Sequence, residues 1–378
     1  MQLRETFLSV FKYISFISEV LKVKSSGKVT VKDIAQKLNV SLSTVNKALT
    51  GKSGISEKRR REIIDAAEEM GYEVNHIAQA LSRKPINIGI IIPENWKNYF
   101  SPIENGMKKE LSRLSNSNVN GEFIYITQTS DILPALMHFT NTKTDLIIYC
   151  PSLIALDDAV TEYIANGICP PVMLAGADCD RIKSVCTTSI DSSLSGKMAA
   201  DFLSLLMNRK GNVAVLMGSS LLDTHVKKAN EFAKRASSLG LSVSAVHETG
   251  DDPQVMADCI RKTLEKTDLG GIYVATGNVK SVAECFGKVC PYIVATDIYD
   301  DVIEYMSQGK VSCTIFQNQA LMGKLAIEYA YNYIVEKSSY RVCSAPLASK
   351  IYVTPHLFLP SNLDNFGNDD GNDYRIEY

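Results

Sequence analysis

From Ile86 onward the chain repeats one pattern, a short continuous apolar run followed by a segment of helical periodicity. The runs are INIGIIIP, EFIYIT, DLIIYC, PPVMLAG, NVAVLMG, SVSAVHE, GGIYVA and YIVATD. A strand that is apolar at every position leaves no face for water, so it belongs in a sheet covered on both sides. Helices between the strands supply that cover and make the strands parallel. The length suits two such units, which predicts an α/β domain of two doubly wound parallel sheets. Ligands in sheets of this kind bind beyond the carboxyl ends of the strands, so loop residues there become candidates.

Residues 29–84 follow a different period. Val31, Ile34, Ala35 and Leu38 recur at helical spacing, with Thr30 before them as an N-cap whose hydroxyl accepts from a free amide of the first turn. Asn39-Val40-Ser41 is a tight connection, because Asn tolerates the left-handed conformation and Ser41 caps the next helix. That second helix, from Leu42, buries Val45, Ala48 and Leu49 and leaves Leu42, Ser43, Thr44, Asn46 and Lys47 outward. Ser56 opens a third, with Ile63, Ile64, Ala67 and Met70 on one face and Gly71 as a stop. This is the order of a small all-α helix-turn-helix domain, in which the N-terminal residues of the second helix enter the major groove and flanking donors hold phosphates. Residues 28–61 carry nine Lys or Arg against two Asp or Glu, whereas the whole chain has a net charge of −2. Arg59, Arg60 and Arg61 are therefore expected to face phosphates, the alternative being an ordinary solvated face.

The run VTVKDIAQKLNVSLSTVNKAL, then GISEKRRREIIDAAEEMGYEVNHIAQAL, then the two-sheet domain closely resembles the LacI/GalR family of transcriptional regulators, from about Val29 to Asn362. The resemblance implies a helix-turn-helix domain over 28–74, a hinge helix and linker over 75–85, and a periplasmic-binding-protein-like domain over 86–360. Lobe 1 would hold about 86–204 and 318–345, and lobe 2 about 210–316 and 350–360. The boundary falls near Ser204 to Lys210, with return crossings near Gln317 and Lys350. The implied DNA-contacting set is Thr30, Ser41, Leu42, Ser43, Thr44, Asn46 and Lys47, with Asn75, Ala78 and Leu81 of the hinge helix. Leu42 and Ser43 would choose the operator, and Leu81 would wedge into the minor groove and kink the duplex. The alternative for the hinge segment is plain packing on its neighbour domain. Many relatives have arginine where Lys47 stands, and lysine lacks the bidentate fork for guanine, so base preference does not carry over.

Between the lobes the resemblance implies a sugar-like effector. Tyr99 and Phe100 occupy the place of paired aromatics that stack on a sugar ring, with Trp96 close by. Asp191, Asp297 and Gln317 match positions that take ligand hydroxyls. Lys228 stands where an arginine is usual, and His225 lies one helical turn earlier. Each has a structural alternative: interlobe packing for the aromatics, helix caps for Asp191 and Asp297, and ordinary packing for Lys228 and His225.

The remaining features set bounds. Of 378 residues, 45% are hydrophobic and 22% charged, which fits a globular protein of one small and one large domain. Nine cysteines show no C-x-x-C pair or zinc-like spacing, so reduced thiols in a cytoplasm, with no metal, are expected. Residues 1–27 are interrupted by Lys12 and Glu19 and suit neither a signal peptide nor a membrane span. They read either as an extra helix or as an unused upstream start. Residues 361–378 read as an acidic solvated tail without a leucine heptad, which favours a homodimer over a tetramer. No P-loop, G-x-G-x-x-G or Ser-His-Asp order supports an enzyme, and no cofactor is expected. The partners expected are double-stranded operator DNA and a small molecule. Two rival readings are a catalyst acting on a small metabolite and a binding module without DNA contact.

Overall fold

The computed structural model describes residues 29–49, 54–72, 84–287, 289–338, 349–365 and 374–377. The chain divides into two compact units, the second beginning at Lys84. The expected extension over 1–27 and the hinge residues Asn75, Ala78 and Leu81 lie outside the described residues.

In the first unit, α1 (Val31–Lys37), α2 (Leu42–Leu49) and α3 (Glu57–Glu69) enclose a small core of Ile34, Ala35, Val45, Ala48, Ile63 and Ala67. Asn39 takes the left-handed conformation at φ +50°, which the short turn between α1 and α2 requires. Ser56 caps α3, its side chain accepting from the Arg59 amide at 3.3 Å. Thr30 and Asp33 form a capping box at the start of α1, and both the amide and the hydroxyl of Thr30 donate to Asp33 Oδ2, each at 2.7 Å. A carboxylate at the third helical position is the stronger acceptor, so the hydroxyl turns to serve it.

The second unit contains both predicted sheets. The first has strand order β13-β11-β5-β4-β3-β1-β2 and contains β1 (Ile86–Pro93), β2 (Val119–Ile126), β3 (Leu146–Tyr149), β4 (Val172–Gly176), β5 (Thr187–Ile190), β11 (Lys350–Val353) and β13 (Tyr374–Glu377). The second runs β12-β10-β9-β8-β6-β7 and contains β6 (Asn212–Met217), β7 (Ser242–Glu248), β8 (Gly271–Val274), β9 (Tyr292–Thr296), β10 (Cys313–Phe316) and β12 (His356–Phe358). Pairing is parallel except at β13 and β12. The central strands β3, β4 and β8 are buried at every position, as their unbroken apolar sequences require. Helices α4 (Lys97–Arg113), α5 (Ile132–Asn141) and α6 (Asp158–Ala165) pack their apolar residues into the core of the first sheet, and α10 (Val279–Ala283) into that of the second.

Three boundaries differ from those expected. The helix α7 (Ser192–Leu206) belongs with lobe 2, because Ala199, Ala200 and Leu203 pack with Val213, Val215 and Phe232. The first crossing therefore falls near Asp191 rather than at Ser204 to Lys210. β11 pairs with β5 in the first sheet, so residues 350–353 belong to lobe 1 and lobe 2 resumes only with β12. Last, β13 pairs with β11, which places part of the acidic tail in a sheet rather than in solvent. The eight described cysteines are free thiols, and no described helix is long and apolar enough to cross a membrane.

Candidate functional site

The strands of both sheets deliver their carboxyl ends to one cavity of about 340 Å³ between the lobes. Lobe 1 contributes Trp96, Tyr99 and Phe100 after β1, Pro151 and Ser152 after β3, and Gly176 and Ala177 at the end of β4. Lobe 2 contributes Thr224, His225 and Lys228 from α8 (Asp223–Ser238), Asp251 after β7, Thr276 to Asn278 after β8, Asp297 and Tyr299 after β9, and Gln317 after β10.

Seven of the eight residues singled out for the effector line this cavity: Trp96, Tyr99, Phe100, His225, Lys228, Asp297 and Gln317. Asp191 is not among the lining residues. Its side chain accepts from the Leu194 amide at 2.9 Å and caps α7, the alternative role its sequence context allowed. Asp297 is not a helix cap, since Tyr299 holds that position for α11 (Asp300–Ser307).

The aromatic wall is edge-built. Tyr99 and Phe100 meet at 88° with centroids 5.1 Å apart, and the Tyr99 hydroxyl donates to the Gly176 carbonyl at 2.7 Å. Burial pushes that phenol far above its ordinary pKa, so it remains a donor. Trp96, at φ +54°, is half-exposed at the margin of the cavity.

The polar wall is a relay. Lys228 Nζ donates to Gln317 Oε1 at 2.7 Å, and Gln317 Nε2 donates to Asp297 Oδ2 at 2.7 Å. Tyr299 adds its hydroxyl to the same oxygen at 3.0 Å, and the Gln317 amide reaches Oδ1 at 3.3 Å. Lys228 and Asp297 are only 3% and 2% exposed. Burial drives the lysine pKa down to about 8 and the carboxyl up, each partly restored by the other's charge. Asp297 holds φ +67°, a strained conformation for a residue with a side chain, and it persists because four hydrogen bonds converge on it, the fourth from the Thr314 hydroxyl to its carbonyl.

His225 is fixed as a neutral ring. The Ser219 amide donates to Nδ1 at 3.0 Å, leaving Nε2 as the protonated nitrogen, and burial together with Lys228 pushes the pKa down to about 3. An ordinary histidine titrates at 6.5. Between pH 6.5 and 3 the unfolded chain therefore binds a proton that the folded chain refuses, and stability falls as pH drops through that window. We expect His225→Gln to lose this slope. The gap in stability between wild type and variant at pH 7 should narrow by about 1.4 kcal/mol per pH unit on acidification to pH 4. Parallel denaturant titrations with a constant gap would contradict it.

Asp251 escaped the sequence reading. It stands at φ +61° after β7, its carbonyl accepting from Asn278 Nδ2 at 2.7 Å, and burial raises its carboxyl pKa against the pull of Thr276 and Lys228. The T-G-D-D-P context looks like a turn followed by a capped helix, and Asp252 does cap α9 (Pro253–Leu264). Tyr299, Thr276 and Asn278 were missed for a similar reason, each sitting one to four residues past a strand without a pattern of its own.

On the first unit, Leu42 is 49% exposed, and Ser41, Ser43 and Asn46 are exposed beside it. Ser41 Oγ accepts from the Thr44 amide at 3.1 Å and shares a 2.8 Å bond with its hydroxyl, which caps α2. Lys47 is half-buried. The arginine run does not act as one phosphate-facing group. Arg60 is 4% exposed, and its Nη1 donates to the carbonyls of Lys47 and Ala48 at 3.0 and 3.3 Å, closing the end of α2. Arg59 pairs with Glu62 at 2.7 Å, so Arg61 is the exposed member of the three.

Residues 30–75 match the family model described as bacterial regulatory proteins, lacI family, and residues 88–338 match the periplasmic binding protein domain. Catabolite control protein A of Priestia megaterium is 25% identical over 223 residues, 57% of this chain and 63% of that protein. The transcriptional regulator pepR1 of Lactobacillus delbrueckii subsp. lactis is 24% identical over 194 residues, 50% of this chain and 55% of that one. The chain thus spans less than two thirds of the length of these curated relatives. Among solved structures, the glucose-galactose binding protein GanP of Geobacillus stearothermophilus superposes with a TM-score of 0.63 at 19% identity, covering 74% of this chain and 99% of that one. A Burkholderia graminis solute-binding protein in complex with D-arabinose gives 0.64 at 17%, covering 75% and 98%. With two parallel-sheet lobes over the second match and a helix-turn-helix over the first, the chain belongs to the periplasmic binding protein domain family and carries, over residues 30–75, a DNA-binding domain of the lacI family of bacterial regulatory proteins.

Proposed function

We propose that this protein is a sequence-specific transcriptional regulator, a repressor, that acts in the cytoplasm as a homodimer on double-stranded operator DNA under control of a sugar or sugar derivative. The observation that carries the reading is one chain holding both an exposed recognition face at the start of α2 and an interlobe cavity with aromatic and carboxylate walls. Aromatic faces suit the C–H surface of a pyranose, and carboxylates and amides orient its hydroxyls. The pepR1 relative is named as a transcriptional regulator, and the two solved proteins of this fold are a glucose-galactose binding protein and a complex with D-arabinose. A ligand touching both lobes biases their closure, and the Asp180 amide already donates across them to Asp223 Oδ2 at 3.0 Å. Coupling of that closure to DNA is commonly worth about 1–3 kcal/mol.

The test is retention of operator-sized duplex DNA by the purified protein at physiological salt, with and without a panel of sugars. Replacing Leu42 and Ser43 is expected to change which duplex is preferred. Arg61→Ala should weaken every duplex and flatten the salt dependence by about one phosphate's worth. No retention of any duplex, or no sugar altering it, would overturn the reading.

A further inference from the structure

The cavity's charges do not balance. Its lining holds two carboxyl groups, Asp297 buried and Asp251 part-buried, and one buried ammonium, Lys228. His225 contributes none, because its Nδ1 accepts from the Ser219 amide and burial keeps the ring neutral. Among the described residues no arginine lines the wall, and the only other cation there, Lys97, is exposed to solvent.

The two carboxylates are also served unequally. Asp297 receives Gln317 twice and Tyr299 once, and it faces Lys228 through the Gln317 amide. Asp251 has its backbone pinned by Asn278, and at its carboxylate the Thr276 hydroxyl is the one neighbouring donor among the described residues, with Oδ1 left buried and without a hydrogen-bond partner. That hydroxyl also lies on the cavity wall. A part-buried carboxylate with so few donors is costly, and a ligand that supplies them recovers that cost on binding.

We propose that the cavity takes a polyol bearing a protonated amine, an amino sugar in chemical class, whose ammonium is received by Asp251. The proposal rests on the reading of the cavity as a sugar site. A hydroxyl brings Asp251 one neutral donor, whereas an ammonium brings three donors and the missing positive charge. A phosphate does the reverse: it sets two negative charges beside two carboxylates and competes for a lysine that already donates to Gln317.

Calorimetric titration of the full-length protein at pH 7 tests this with glucose, galactose and mannose, each beside its 2-amino, 6-amino and 6-phosphate counterparts. The expected result is an amine that binds at least about tenfold tighter than its parent hydroxyl sugar, with the phosphates weakest. In Asp251→Asn, shown to be folded by its melting curve, that preference should fall to about one. Parent sugars binding as well as their amines, or phosphates binding best, overturn the proposal and leave the sugar site standing. An amine preference that survives in Asp251→Asn removes Asp251 from the role. No binding by any member sinks the sugar site and this proposal with it. The comparison within wild type needs no variant to fold.

Discussion

Gly196→Ala is expected to lower the melting temperature of the two-lobed unit by about 2–12 °C and to weaken any ligand of the cavity, although Gly196 is not among the cavity-lining residues. A Cβ built at Gly196 would overlap the Lys228 carbonyl oxygen and sit 2.9 Å from the Phe232 amide nitrogen. Both neighbours are backbone, so no rotamer change relieves the overlap. Helix α8 must move away from α7, and α8 carries Thr224, His225 and Lys228 into the cavity. Overpacking of this kind typically costs about 1–3 kcal/mol, at about 2–4 °C per kcal/mol for a domain of a couple of hundred residues. Lys228 reaches Gln317 at 2.7 Å, and a shift of a few tenths of an ångström already strains that bond. Gly287→Ala is the control, since nothing lies within 4 Å of its Cβ position, and it should stay within about 0.5 kcal/mol of wild type. Equal melting temperatures for the two variants would show that α7 and α8 tolerate separation.

That glycine illustrates what the sequence does and does not disclose. The strands were legible because burial on both faces forces a run of apolar residues, and that constraint is local. The sheet to which a helix belongs is not local. Helix α7 was expected with lobe 1 because the resemblance placed the boundary near Ser204 to Lys210, yet its narrow face of Gly196, Ala199, Ala200 and Leu203 fits α8 and the second sheet. Strand β11 was expected in lobe 2, with the crossing near Lys350, and instead pairs with β5 across a long separation in sequence. Site residues divide the same way. Asp297 and Gln317 stand just past strand ends, and Lys228 lies within α8 at a position the resemblance marks. Asp251 gains its character only because α8 places a buried lysine near it and the fold leaves it the Thr276 hydroxyl as its neighbouring donor. The arginine run did contain a usable signal that went unread: Arg60 is three residues before Ile63 and seven before Ala67, on the face those residues bury. Basic residues in series look alike to a charge count, whereas helical phase separates the buried Arg60 from the exposed Arg61.

The largest functional effect is expected at Asp297. Asp297→Ala should abolish the response of operator retention to sugars and should also lower stability, by about 2–4 kcal/mol. Two physical reasons add. The carboxylate is the acceptor for Gln317 Nε2 and Tyr299, and its loss leaves buried donors unsatisfied and Lys228 without its counter-charge. Alanine must also hold φ +67°, where a residue without a short polar side chain pays roughly 1 kcal/mol or more. Asp297→Asn separates the two, since asparagine tolerates the left-handed backbone and keeps one acceptor oxygen. With the charge gone, the Gln317 relay loses the anion that orients it, so Asn should recover much of the melting temperature but little of the sugar response. Thermal melts and sugar titrations of both variants, run side by side, decide the matter. If Asn restores stability and the full sugar response together, the charge of Asp297 is not needed for recognition, and its carboxylate serves only to close the β9–α11 turn.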